Sequence, residues 1–133
     1  MLHNQHDSRK KPQETAYVIM SIQNGIFEAN FKAMEVLDIN IAMTTVKDRL
    51  VFCENKAYPC LFDITEVKHT TKEARDFMAT EGNQLILASA MVVTSPMLKM
   101  MANFYIMVNK PQNPTQLFTS REKALEWLVQ FKR

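Results

Sequence analysis

Between Asp63 and Phe77 the chain reads DITEVKHTTKEARDF. Asp63, Glu66 and His69 lie together at what reads as one strand-to-helix connection. They are the candidates for acid–base work or metal ligation, the groundwork of a hydrolase or metal enzyme. Asp63 would sit at the C-terminal end of a parallel strand, where α/β folds place their ligands. Thr70 and Thr71 add two hydroxyls at a helix start, where a phosphate would meet free N–H groups and the positive end of the dipole; they are the candidate phospho-acceptors. With Asp63, Glu66 and His69, Lys72 completes a candidate turn for a ligand or partner. Against the chemical readings stands a simpler one. Asp63 satisfies turn N–H groups, Glu66 and Lys68 are solvated, His69 is a loop residue and a threonine caps the helix. The chain has no HExxH, no GxSxG and no glycine-rich loop. With two glycines in all, a backbone cradle for phosphate is nearly excluded. No catalytic residue, metal or cofactor is therefore assigned, and the chain reads as a non-enzyme.

The rest of the composition narrows the class. A chain of 133 residues, 47% hydrophobic and 23% charged, has the size of one domain able to build its own core. Cys53 and Cys60 stand in apolar surroundings and read as small buried hydrophobes in a reducing compartment. No run approaches the roughly 18 apolar residues of a membrane span, and the N-terminus has no secretory h-region, so a soluble cytoplasmic protein is expected. A net charge of +2, with both signs interleaved, gives no nucleic-acid face. Residues 1–13, with His3, His6 and the basic Arg9, Lys10 and Lys11, read as a flexible tail, and residues 14–133 as a single domain.

Those residues must be positioned by an ordered scaffold. Alternation through Tyr17–Gln23, the dipeptide Asn24-Gly25 and the run from Ile26 to Phe31 predict a hairpin with a type I′ turn. From Asp38 or Asn40 a helix should bury Ile41, Val46, Leu50 and Cys53. Tyr58-Pro59 ends helical structure. The apolar runs CLFDI and LILASAMVV then read as strands covered on both faces and joined by a right-handed crossover. The intervening helix is expected to open on a capping box of Thr70 with Glu73 and to close on a left-handed Gly82. Ser95-Pro96 starts a helix reaching about Asn109, TQLF is a short edge strand, and Thr119 with Glu122 caps a last helix. The order ββαβαβαβα predicts an α/β fold, a mixed, mainly parallel sheet of about five strands covered by four helices.

The helix from Pro96 to Asn109 carries more apolar surface than one packed face needs. A regular helix puts Met97, Met101, Phe104, Tyr105 and Val108 toward the core, and Lys99, Asn103 and Lys110 opposite. Met100 and Met107 widen the apolar arc, and Ile106 falls within the polar stripe. Met100, Asn103, Ile106 and Met107 therefore form a candidate interface, for self-association or an apolar ligand, unless the methionines merely fill an irregular core.

This order of elements, the strand YPCLFDITEV feeding a helix, and the closing SPMLKMMANFYIMVNKPQNPTQLFTSREKALEWL resemble a bacterial family of small uncharacterised STAS-like domains. STAS domains are those of sulfate transporters and anti-sigma-factor antagonists, and their architecture is similar to that of CRAL-TRIO lipid carriers. The resemblance spans roughly residues 14 to 131. It implies a STAS-like fold and a non-catalytic regulatory module. The turn and helix after the central strand would meet a kinase-like or signalling partner, which in regulatory members phosphorylates a serine there. This chain departs from that motif: His69-Thr70-Thr71-Lys72-Glu73 stands where those members carry Asp-Ser-Ser-Gly. The reading that follows is a protein-interaction module, expected as a homodimer. A carrier of a lipid or other small apolar molecule is the first alternative and a hydrolase or metal enzyme the second.

Overall fold

The protein, seen as a computed structural model, is described over residues 9–133. Its strands are β1 (Arg9–Glu14), β2 (Val18–Gln23), β3 (Ile26–Phe31), β4 (Met34–Leu37), β5 (Tyr58–Asp63), β6 (Val67–Thr70), β7 (Ile86–Val92) and β8 (Thr115–Phe118). Its helices are α1 (Ile39–Phe52), α2 (Lys72–Ala79), α3 (Pro96–Phe104) and α4 (Arg121–Leu128). Six strands form one sheet in the order β1-β2-β3-β5-β7-β8, antiparallel from β1 to β3 and parallel from β3 to β8. The mainly parallel α/β sheet with four helices is as the sequence predicts, and TQLF is an edge strand.

The hairpin forms because Asn24 and Gly25 take left-handed φ angles of 53° and 76°, as a type I′ turn requires, and Gln23 then faces Ile26 across the loop. Each later parallel step moves one place in the same direction, so right-handed crossovers put α1, α2 and α3 on one face. That face carries the larger core, in which Val18, Met20, Phe27 and Phe31 of the sheet meet Phe52, Leu98, Met78 and Met101 of the helices. The other face is covered by α4 alone, where Ala124 and Leu128 pack on Leu61, Ala88 and Ala90. Alanines on both sides let this helix lie close to β7. Arg121, at the start of α4, donates two hydrogen bonds to Glu28, at 2.7 and 3.1 Å, and Glu28 is only 5% exposed. This ion pair ties the last helix to the middle of β3.

Several local expectations are corrected. Arg9–Glu14, within the stretch expected to be tail, pairs with β2 as an edge strand, while His3 and His6 lie outside the described residues. Two short strands were not anticipated: β4 and β6 pair in parallel as a separate two-stranded sheet. α1 is capped by Asp38 and buries Ala42, Thr45, Arg49 and Phe52 rather than the stripe through Val46 and Leu50. Gly82 is not left-handed; α2 ends at Ala79 and a 3-10 turn over Glu81–Asn83 follows, with the positive φ carried by Leu85. Ser120, not Thr119, caps α4, accepting from the Lys123 N–H.

The hairpin generates a test. A Cβ on Gly25 would lie 3.3 Å from Lys132 Cε, a flexible contact, so the cost of Gly25→Val is backbone strain at positive φ. Chemical denaturation should show a loss of about 1–2 kcal/mol; an unchanged midpoint would contradict the turn geometry.

Candidate functional site

The stretch that opens the chemical reading does not assemble a catalytic group. Asp63 ends β5, and its Oδ1 accepts from the Thr65 N–H at 3.0 Å, an Asx turn. Glu66 lies in the exposed turn that follows. β6 then intervenes, so His69 is an exposed strand residue opposite Val36 rather than a member of one connection with Asp63. Lys72 is exposed and pairs with Asp76 at 2.8 Å. No group of three His, Cys, Asp or Glu side chains able to hold a metal occurs among the described residues.

The two threonines have separate local roles. Leu37 opposite Thr70 in the β4–β6 ladder draws Thr70 into the strand, and the Thr71 N–H bonds to the Leu37 carbonyl at 3.1 Å. The N-cap therefore moves one residue on from the expected Thr70. Thr71 Oγ1 accepts from the Ala74 N–H at 3.1 Å, so the box with Glu73 does not form in the expected register. Thr70 Oγ1 and its carbonyl both accept from Arg75 Nη1 at 2.8 Å.

A concavity lies between the sheet and α1–α3. It is a mostly apolar cavity of about 110 Å³, bounded by Met20, Phe62, Val67, Met78, Met91 and Met101 among others. One side chain in its wall is out of keeping. Arg49 projects from the buried face of α1, is 3% exposed, and Nη2 donates to the Gly82 carbonyl at 3.0 Å. That is its single hydrogen bond among the described residues, and no carboxylate there forms an ion pair with it. Burial pushes its pKa below the ordinary arginine value. Ser89, Thr70, Arg75 and Tyr105 share the wall. Arg75 Nε is buried without a partner, and burial raises the Tyr105 phenol. Tyr105 opens a π-helical turn, Tyr105–Asn109, that extends α3 and stops at Lys110 with φ 52°.

The cavity and its arginine escaped the sequence reading. Arg49 is in register with Ala42, Thr45 and Phe52, and the signal was a charged residue on a helix face that had to be inside. The neighbouring stripe is more apolar, so periodicity favours the wrong face.

On α3 the inward residues are Leu98 and Ala102, with Met101 and Tyr105 half-buried. Met97, Phe104 and Val108, expected toward the core, are exposed. Of the four interface candidates, Met100 and Met107 are 71% and 72% exposed, Asn103 is exposed, and Ile106 is half-buried.

A family described as a domain of unknown function, DUF7793, matches residues 20–132. The chain belongs to the DUF7793 family. None of the curated proteins matches it. Among solved structures, this DUF7793 domain is similar to an uncharacterized protein of the DUF3478 family with a SpoIIAA-like fold from Shewanella loihica PV-4. The two share 12% identity over 96% of this chain and 98% of the other, with a TM-score of 0.53. At that identity the likeness concerns the fold, which is STAS-like. No helix among the described residues of the DUF7793 domain is long and apolar enough to cross a membrane.

The DUF7793 thiols and cap yield two tests. Burial pushes the Cys53 thiol up to about 11 and the Cys60 thiol to about 12. Both should resist a thiol-exchange reagent at pH 8 in the folded protein and react on unfolding; fast labelling of the native state would contradict their burial. Unfolded thiols ionise near about 8.5. Their contribution to stability is therefore complete below that pH and is lost as pH rises toward the folded values. Thr71→Ala should cost about 1 kcal/mol in urea titration; no change would reject its capping role.

Proposed function

We propose that the protein is a non-catalytic interaction module of STAS type that docks through the outer face of α3, in the first instance onto a second copy of itself. The supporting observation is the exposed row Met97, Met100, Phe104, Met107 and Val108. Spacings of three and four residues place these side chains on one side of a helix, largely open to water, with the Arg75 guanidinium 5.8 Å from the centre of the Phe104 ring. Single exposed apolar residues need no explanation, but a contiguous row does.

The charge around the row favours a like partner. No Asp or Glu occurs between Gly82 and Arg121, and Lys99 and Lys110 flank the apolar side chains. Adjacent α2 supplies the opposite sign: Glu73 is exposed, and Asp76 accepts from Asn109 at 2.6 Å, beside the end of the π-helical turn. A surface carrying an apolar centre with both signs at its margin is self-complementary, as a two-fold interface requires. A kinase-like partner acting on Thr71 would first have to break the Oγ1 cap on Ala74.

A second reading rests on the internal cavity: the domain binds a small apolar molecule between its sheet and helices. The cavity's mostly apolar wall with a few polar groups is the usual composition of a ligand site.

Light scattering across a concentration series should show mass rising toward twice that of the monomer. Met100→Glu and Met107→Glu should each hold the protein at monomer mass. Because both positions are exposed, neither change should shift thermal stability appreciably, within about 0.5 kcal/mol. A wild-type protein that stays monomeric at every attainable concentration would refute the docking face.

A further inference from the structure

The charged groups of the cavity wall, Arg49 and Arg75, are both cations. Arg49 carries five N–H donors in a planar fork, of which one meets a protein acceptor among the described residues. The side chain is almost wholly removed from solvent and no acidic side chain among the described residues pairs with it. A buried charge is ordinarily paired, since the interior replaces little of the hydration it gives up. Ser89 and Tyr105 line the same cavity, and neither hydroxyl has a protein hydrogen-bond partner among the described residues. Arg75, with its unpartnered Nε, lines it as well. Two arginines are thus gathered, with the neutral polar side chains of Thr45, Thr70, Asn83, Ser89 and Thr115, in a wall that is mostly apolar and contains no acid.

We propose that this cavity binds a small organic carboxylate, its oxygens held by the Arg49 fork and its hydrocarbon body against the methionine-lined wall. This rests on the second reading above, that the cavity is a ligand site, and adds the ligand's charge and size. A carboxylate matches the guanidinium bidentately, as two parallel N–H···O bonds. Inorganic phosphate or sulfate would satisfy the arginine but leave the apolar wall against a fully polar ion. A neutral hydrocarbon would fill the wall and leave the cation unpaired. A cavity of about 110 Å³ is smaller than one of about 150 Å³ that takes benzene, so the whole ligand has at most about six non-hydrogen atoms, a carboxylate on a body of about three carbons. Methionine side chains at Met20, Met78, Met91 and Met101 can adjust to its shape.

The methionines also provide the readout. Methyl-labelled methionine NMR on the full chain, titrated with sodium butanoate, should shift Met20, Met78, Met91 and Met101 and leave the exposed Met100 and Met107 in place. Butan-1-ol should bind at least tenfold more weakly, and inorganic phosphate should move none of the four. In Arg49→Met, which removes an unpaired buried charge and so should melt no lower than wild type, butanoate affinity should fall at least tenfold while butanol binding persists. Arg49→Lys, which keeps the charge without the fork, should fall between the two and supplies the comparison if the methionine variant does not fold. Equal binding of butanoate and butanol, or undiminished butanoate binding in both variants, would overturn the carboxylate assignment and leave the cavity as an apolar site. Silence of all four cavity methyls with both ligands, or shifts confined to Met100 and Met107, would overturn the cavity reading as well.

Discussion

A sheet that adds each parallel strand on the same side can place its right-handed crossovers on only one face. From β3 to β8 this chain takes three such steps, and α1, α2 and α3 accumulate on a single side while α4 alone serves the other. The two layers are unlike as a result. Beneath α4, alanines at Ala88, Ala90 and Ala124 permit close approach, and the Arg121–Glu28 pair pins the helix across the sheet. Above the sheet, three helices must share one surface, and long flexible side chains fill the spaces between them. Where they do not, a partly open cavity remains.

That volume is what the proposed ligand site rests on. A gap walled only by apolar groups would be a packing fault, costing lost dispersion contacts. Here the gap coincides with Arg49, whose charge an apolar residue of similar length would replace at no cost to packing. A charge retained without a partner in such a place is unfavourable for folding and useful only toward an anion. The α3 face tells a related story on the outside. Leu98 and Ala102 suffice to hold the helix to the sheet, so the outer methionines and Phe104 contribute little to folding and are available for docking. Both features belong to α3 and its π-helical turn, since Met101 and Tyr105 line the cavity while Met100 and Met107 face outward. An occupant of the cavity and a partner on the surface would therefore press on opposite sides of one helix.

How much could be read beforehand follows from how local each signal is. Asn24-Gly25 and Ser95-Pro96 specify their turn and helix start through backbone preferences of the residues themselves, and both are where the sequence puts them. MEVL and VKHT are four-residue strands without clean alternation, and their pairing depends on a contact between distant segments; that pairing is also what shifts the α2 cap from Thr70 to Thr71. On α1 the buried face includes a threonine and an arginine, so the more apolar neighbouring stripe misleads. On α3 methionines occur all around the helix, and periodicity cannot choose a face at all. The triad of Asp63, Glu66 and His69 looked contiguous because β6 was hidden. The cavity depends on the spacing of three helices over a sheet, which no short segment encodes.

The surroundings of Arg49 decide the account, and a high-resolution crystal structure of the protein as purified would reveal them most directly. The guanidinium should face an enclosed space that holds solvent or a bound anion, with Gly82 as its protein acceptor. An Asp or Glu of the chain within about 4 Å of the guanidinium, or neighbouring side chains closing the space completely, would contradict it.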